Sequence, residues 1–375
     1  MKRLLILLAA CQAPQPKPPV VPDVTLPMAD TDVDRRQRML AELQDDVLSS
    51  YERDEPPDLD TELIDPRIGP ARIGVGPGDV LFGTEVLERA SSRWPLRIDD
   101  TLKTAVRSKR LDIHLSIDKQ VSAAWMSDEL SWRITFCGRT AVVPLRVTAL
   151  YAHDGDRWVQ VLEHLSFGRQ PKPSPDGSLV GRPMSDAIID TPLSDELGRE
   201  VVTLFSQDPD RIRQLVTVDP DHRAEDDPRQ AAPSFLLAPD PDGEWHGDAD
   251  VDRIQVADGK LLKIQDRRVG VIGRSVAKAT IAYLVANLVV DLHPGQVLLR
   301  GTFVFEKRKD RWILAQGHVS EPITDYALAS RVFGTALESV NLEKGEALRL
   351  TCDDGSTRLS SPPAAPQATP PAAAP

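Results

Sequence analysis

Two histidines and one aspartate stand where their side chains could do acid–base chemistry. His164 closes the frame Asp156-Arg157-Trp158, five residues, His164, Leu165, Ser166, and His318 closes the matching frame Asp310-Arg311-Trp312, five residues, His318, Val319, Ser320. An imidazole in such a place is a candidate general base or ligand-binding group, because its charge changes near neutral pH. Its recurrence fits a structural histidine, hydrogen-bonded near a sheet end, at least as well, and that is the favoured reading. Trp158 and Trp312 share strand parity with these histidines and read as core or sheet-packing residues. Asp128 is the third candidate, since it interrupts the apolar alternation Met126, Leu130, Trp132, Ile134 and Phe136. A carboxylate among core-facing side chains has a raised pKa and can serve as a base. The matching place in the second half is Ala286, so this chemistry is open to the first half only. A local twist or bulge exposing Asp128 to water is the favoured account.

Other chemistries find less support. The loop Asp219-Pro220-Asp221-His222-Arg223-Ala224-Glu225-Asp226-Asp227 is dense in acids, yet it lacks the glycine and alternating ligands of a calcium loop and reads as solvated. Nucleophile-elbow, phosphate-loop, dinucleotide and zinc-protease motifs are missing, so no cofactor or metal is expected. A formal charge of −12 removes nucleic acid as a partner, because phosphate binding needs a concentrated basic surface. Three cysteines, Cys11, Cys137 and Cys352, make no disulfide framework and match no zinc spacing. A Cys137–Cys352 bridge is arithmetically open but disfavoured, with one cysteine in a hairpin turn and the other in a tail.

The elements that must position the candidates come as one unit written twice. Leu145-Arg146-Val147-Thr148 faces Leu299-Arg300-Gly301-Thr302, Ala124-Trp125-Met126 faces Ala282-Tyr283-Leu284, and Pro77 to Gly83 faces Pro241 to Gly247, in the same order in both halves. Each copy opens with an amphipathic helix, Val33 to Tyr51 or Leu193 to Phe205, and passes through loop-rich sequence. In the first copy alternating runs follow at Val106–Ile117, Val121–Phe136, Ala141–Ala152 and Trp158–Phe167, joined by hairpin-type connections. The layout is α+β: two tandem domains, each with N-terminal helices packed on a curved antiparallel sheet. The 32 prolines gather at 13–27, 171–192 and the last fifteen residues, where linkers belong. The expected divisions are a signal at 1–11, a tether at 12–32, domains at 33–170 and 193–345 around a linker at 171–192, and a disordered Pro/Ala-rich tail at 346–375. Tyr326 to Leu337 reads as a closing helix that covers the second sheet or pairs with another chain.

The opening residues, MKRLLILLAAC, have the charged start, apolar middle and small residues of a secretory signal, too short to span a bilayer. Leu8-Ala9-Ala10-Cys11 resembles the lipobox of bacterial lipoproteins, which implies acylation of the Cys11 thiol and anchoring through several acyl chains. The resemblance, with Gln12 rather than aspartate next, implies the bacterial envelope and favours the outer membrane.

The strand-turn-strand signature, LRVTALY or LRGTFVF followed by D-R-W and H-x-S, resembles the SnoaL-like branch of the nuclear-transport-factor-two-like, cystatin-like cone superfamily. The resemblance covers most of residues 33–170 and 193–340. It implies a pocket between helices and sheet in each cone, and such folds host both enzymes and binding modules. The expected function is a membrane-anchored, non-catalytic module that binds a small hydrophobic ligand or an envelope protein. The alternative is an isomerase, dehydratase or cyclase working from one cone. Pairing through sheets is common in this superfamily, so the resemblance further implies an intramolecular pseudo-dimer of the two domains.

Overall fold

A computed structural model describes residues 32–52, 70–88, 94, 103–136, 139–169, 192–216, 234–240, 242–247, 259–273, 276–308, 310–324, 327–328, 349–353 and 356–360. Cys11, Cys137 and the acidic loop 219–227 lie outside the described residues.

The first unit runs α1 (Asp32–Glu52), β1 (Ala71–Ile73), β2 (Val80–Phe82), α2 (Thr84–Glu88), β3 (Lys103–Leu115), β4 (Ala123–Phe136), β5 (Arg139–His153) and β6 (Trp158–Ser166). The second repeats it with α3 (Pro192–Leu204), α4 (Pro209–Val216), β7 (Phe235–Leu237), β8 (Glu244–His246), β9 (Lys260–Ile272), β10 (Ile281–Asp291), β11 (Gln296–Arg308) and β12 (Arg311–Ser320). Acids Asp32 and Asp34 in the first turn favour the start of α1, and Pro192 opens α3, where a missing N–H does no harm.

The sheets have the same strand order, β2-β1-β6-β5-β4-β3 and β8-β7-β12-β11-β10-β9. The fold is thus the α+β repeat that the sequence pattern implies. Each sheet is mixed rather than wholly antiparallel, because β1 runs parallel to β6 and β7 parallel to β12. These short strands precede the meander and dock on its last strand, each running in the same direction as that strand. Matching bulges, between Leu150 and Tyr151 and between Val304 and Phe305, bend both sheets at the same point.

In the first unit α1 lays Met39, Leu43, Val47 and Tyr51 on the concave face against Met126, Leu130, Trp132, Trp158 and Phe167. The Trp158 indole N–H donates to the Met39 carbonyl at 3.0 Å and ties helix to sheet. The second unit packs α3 and α4 on Leu284, Leu288, Phe303, Phe305 and Trp312. A third apolar cluster lies between the two sheets, with Trp125, Leu150 and Val161 from one and Tyr283, Val285 and Val304 from the other. Both cones therefore carry filled cores, and the remaining faces of their sheets are buried on each other.

Two segments depart from expectation. Leu328, within the stretch Tyr326 to Leu337 read as a helix that covers the second sheet or pairs with another chain, is buried in the core of the first unit, as is Ile323 just before it. Symmetry explains it: β12 ends over the β1–β2 turn of the other unit, and the Ile323 N–H donates to the Val75 carbonyl at 2.9 Å. Within the stretch read as a disordered tail, β13 (Arg349–Asp353) and β14 (Ser356–Ser360) form an antiparallel hairpin. That part holds no proline, and the sequence between the two strands is Asp354-Gly355, a pair that favours a tight hairpin connection.

Candidate functional site

The repeated residues meet where the sheets face each other. His164 and His318 stack there, ring centroids 3.8 Å apart and planes 19° from parallel, and neither ring is exposed. Each is held by the other unit. His164 Nδ1 lies 2.9 Å from Thr302 Oγ1 and its Nε2 2.8 Å from Ser320 Oγ. His318 Nδ1 lies 3.0 Å from Thr148 Oγ1 and its Nε2 2.7 Å from Ser166 Oγ. A neutral imidazole has one donor and one acceptor nitrogen, so each ring can donate to one hydroxyl and accept from the other. Burial, aided by the Arg300 charge, pushes the His164 pKa down to about 3. His318 falls well below its usual range through burial, then through His164 and Arg146.

The flanking arginines work in the same reciprocal way. Arg146 Nη1 donates to the carbonyls of Ala238 at 3.0 Å and Asp240 at 2.9 Å, in the β7–β8 turn. Arg300 Nη1 donates to Gly74 at 3.3 Å and Gly76 at 2.7 Å, in the β1–β2 turn, and its Nη2 donates to Pro77. The trailing segments cross over too, since the Arg169 N–H donates to Pro239 at 2.7 Å as Ile323 does to Val75. An Arg169–Glu321 pair at 3.4 Å joins the two segments. The arginine and threonine of L-R-x-T and the histidine and serine of H-x-S are thus the residues by which each copy grips the other.

Asp128 is on the opposite side of its sheet. It shares the concave face with Met126 and Leu130 and is 3% exposed. The expected bulge exists, on the neighbouring strand between Ser108 and Arg110, and it does not bring Asp128 to water. Instead Asp128 Oδ1 accepts the Arg110 N–H at 3.1 Å, because the extra residue leaves backbone donors without a ladder partner. Burial raises the Asp128 pKa, against hydrogen bonds from Ser108, Arg110 and Lys109 that lower it. The sheet itself separates the acid from both imidazoles, so the three do not form one acid–base set.

The concave face of the first unit also holds a polar cluster that sequence reasoning missed. Arg72 Nε lies 3.2 Å from Glu163 Oε1, with side chains 3% and 1% exposed, and Gln160 Nε2 donates to Glu163 Oε2 at 2.9 Å. Register places Arg72 opposite Glu163 and Leu236 opposite Gly317, so the second cone has Leu236, Leu314 and Gly317 in the same places. A comparison of the two copies at inward positions of the last strand would have found it. In the second cone a recess of about 10 Å³ is lined by Val216, Ser234, Trp245 and Leu314 among others, room for about one water. Among the described residues no group of three His, Cys, Asp or Glu side chains is placed to hold a metal. No helix among them is long and apolar enough to cross a membrane.

The SnoaL-like domain family matches residues 234–324, from β7 to just past β12. That match falls wholly within the second unit. The first shares its strand order and seam residues. No curated protein sequence matches the chain. Similar solved structures include an NTF2-like protein of Cytophaga hutchinsonii, 10% identical, covering 35% of this chain and 97% of its own, with a TM-score of 0.26. A nuclear transport factor 2-like superfamily protein of Salmonella enterica is 15% identical over 37% of this chain and 95% of its own, TM-score 0.28. A Caulobacter vibrioides protein with a cystatin-like fold is 13% identical over 38% and 93%, TM-score 0.27.

Proposed function

We propose that this SnoaL-like chain is a non-catalytic binding module of the bacterial envelope, anchored by lipid on Cys11, in which the second copy is a built-in partner for the first. The observation that supports it is the division of the candidate groups between faces. The imidazoles are committed to the seam, fully buried and hydrogen-bonded at both nitrogens, while Asp128 serves a backbone bulge inside the cone. General acid–base chemistry needs such groups within hydrogen-bond reach of one reacting atom. What the module binds is a small hydrophobic ligand or an envelope protein, with the outer membrane as the favoured location.

The enzymatic alternative has one observation in its favour, the raised pKa of a carboxylate in an apolar cone. One experiment addresses both readings. Wild type and Cys11→Ser are expressed in a bacterium fed an alkyne fatty acid, fractionated, and the purified wild type is examined by native mass spectrometry. Label and membrane retention in wild type alone, with a co-purifying ligand or partner, support the proposal. An unlabelled, freely soluble wild type refutes the anchor. Turnover of a retained small molecule that Asp128→Asn abolishes refutes the non-catalytic reading.

A further inference from the structure

Among the described residues around the two rings the seam offers nothing that balances an added positive charge, and its buried carboxylate Glu306 is committed elsewhere, accepting the Ile117 N–H at 2.9 Å and pairing with Arg308. Two imidazoles stack at 3.8 Å, the positive charges of Arg300 on β11 and Arg146 on β5 act on His164 and His318 respectively, and every hydrogen-bond partner of the rings is a hydroxyl. Among the described residues no carboxylate is bonded to either ring. Glu163, next to His164 on β6, points into the cone and pairs with Arg72. Glu321 pairs with Arg169, and Asp79 acts on Arg300 rather than on a ring. Each unit meanwhile keeps an apolar core of its own, distinct from the cluster between the sheets.

We infer that the seam is a proton-operated latch: protonation of His164 and His318 parts the two sheets while each cone stays folded, uncovering the apolar faces around Trp125 and Tyr283. The first proton puts an imidazolium against its stacked neighbour and within the field of a guanidinium, and it removes the acceptor nitrogen that one hydroxyl needs. A second places like charges within one ring-stacking distance. The crossing segments, with Ile323 seated in the first core, hold the parted units together, so the opening reverses when the pH is raised.

The test uses the full chain across an acid titration, following separation by small-angle scattering, sheet content by far-ultraviolet circular dichroism, and proton uptake by potentiometry. The expected result is a reversible expansion at a pH above that at which sheet signal is lost. Two protons are taken up, and the open-to-closed ratio rises by up to about a hundredfold per pH unit. His318→Gln, which keeps a neutral hydrogen-bonding side chain, should reduce this to about tenfold, and His164→Gln/His318→Gln should remove the step. Expansion coincident with loss of sheet, uptake of less than one proton, or an unaltered step in the double variant would each overturn the latch. Should the double variant not fold, the wild-type proton count and order of the two transitions decide alone.

Discussion

Glu163→Gln isolates what the polar cluster contributes to the first cone. The pair Arg72–Glu163 is almost wholly enclosed, so its two charges have exchanged water for each other and for Gln160. Removing one charge leaves the guanidinium buried without its counter-ion, and breaking such a pair from one side costs roughly 3–5 kcal/mol. Replacing the whole cluster is a different perturbation, because desolvation of both ions disappears with their attraction. The chain supplies the design: Arg72→Leu/Gln160→Leu/Glu163→Gly copies Leu236, Leu314 and Gly317, in which a Leu236 methyl already lies 2.5 Å from where a Cβ on Gly317 would sit. Such exchanges are often neutral or stabilising, by about 1–4 kcal/mol. Urea unfolding of the full chain, monitored by circular dichroism, compares the two. Glu163→Gln should lower the midpoint strongly, and the triple variant should match or exceed wild type. A triple variant as unstable as the single would refute the reasoning, since it would mean that the ion pair stabilises the cone outright.

Two further predictions concern the seam arginine and the bulge. Arg300→Met should speed hydrogen exchange at Gly74 to Asp79 and leave Ala238 to Gly243 unchanged, with Arg146→Met doing the reverse. Each buried carbonyl left without its donor costs about 1–3 kcal/mol, and exchange mass spectrometry that found no such reciprocity would contradict the assignment. For Asp128 the folded pKa is raised by burial, so the carboxyl's contribution is present below its unfolded value and lost as pH rises through the folded value. Asp128→Asn should therefore gain stability relative to wild type as pH rises through and above the ordinary aspartate value of about 3.9. A gap that narrowed over that range would show that the bulge hydrogen bonds outweigh desolvation.

Much of this fold is legible in the sequence because its long elements alternate strictly. The run ending in Ile134 and Phe136 falls in β4, and Leu40 to Tyr51 falls in α1. The three-residue strands β1 and β2 are too short for any period to register, yet they form the turn that Arg300 holds. The candidate histidines are visible as a repeat, but their partners are not. Thr302 and Ser320 reach His164 only because the second sheet is laid on the first, and no local pattern encodes that distance. The destination of Ile323 is hidden for the same reason.

The repeat marks the surface on which the two copies are interdependent. Arginine, threonine, histidine and serine recur at the seam, where each side chain completes the hydrogen bonding of the other copy, so a change on one side leaves a buried group unsatisfied on the other. Inside the cones no such reciprocity operates. Arg72, Gln160, Glu163 and Asp128 lie on the face of the first sheet that carries Met126 and Leu130, and the matching places of the second cone are leucine, glycine and alanine. Duplication thus holds these arginines, threonines, histidines and serines of the shared interface to one solution and leaves each interior free to differ. The polar interior of the first cone is where a difference in function between the copies would have to lie.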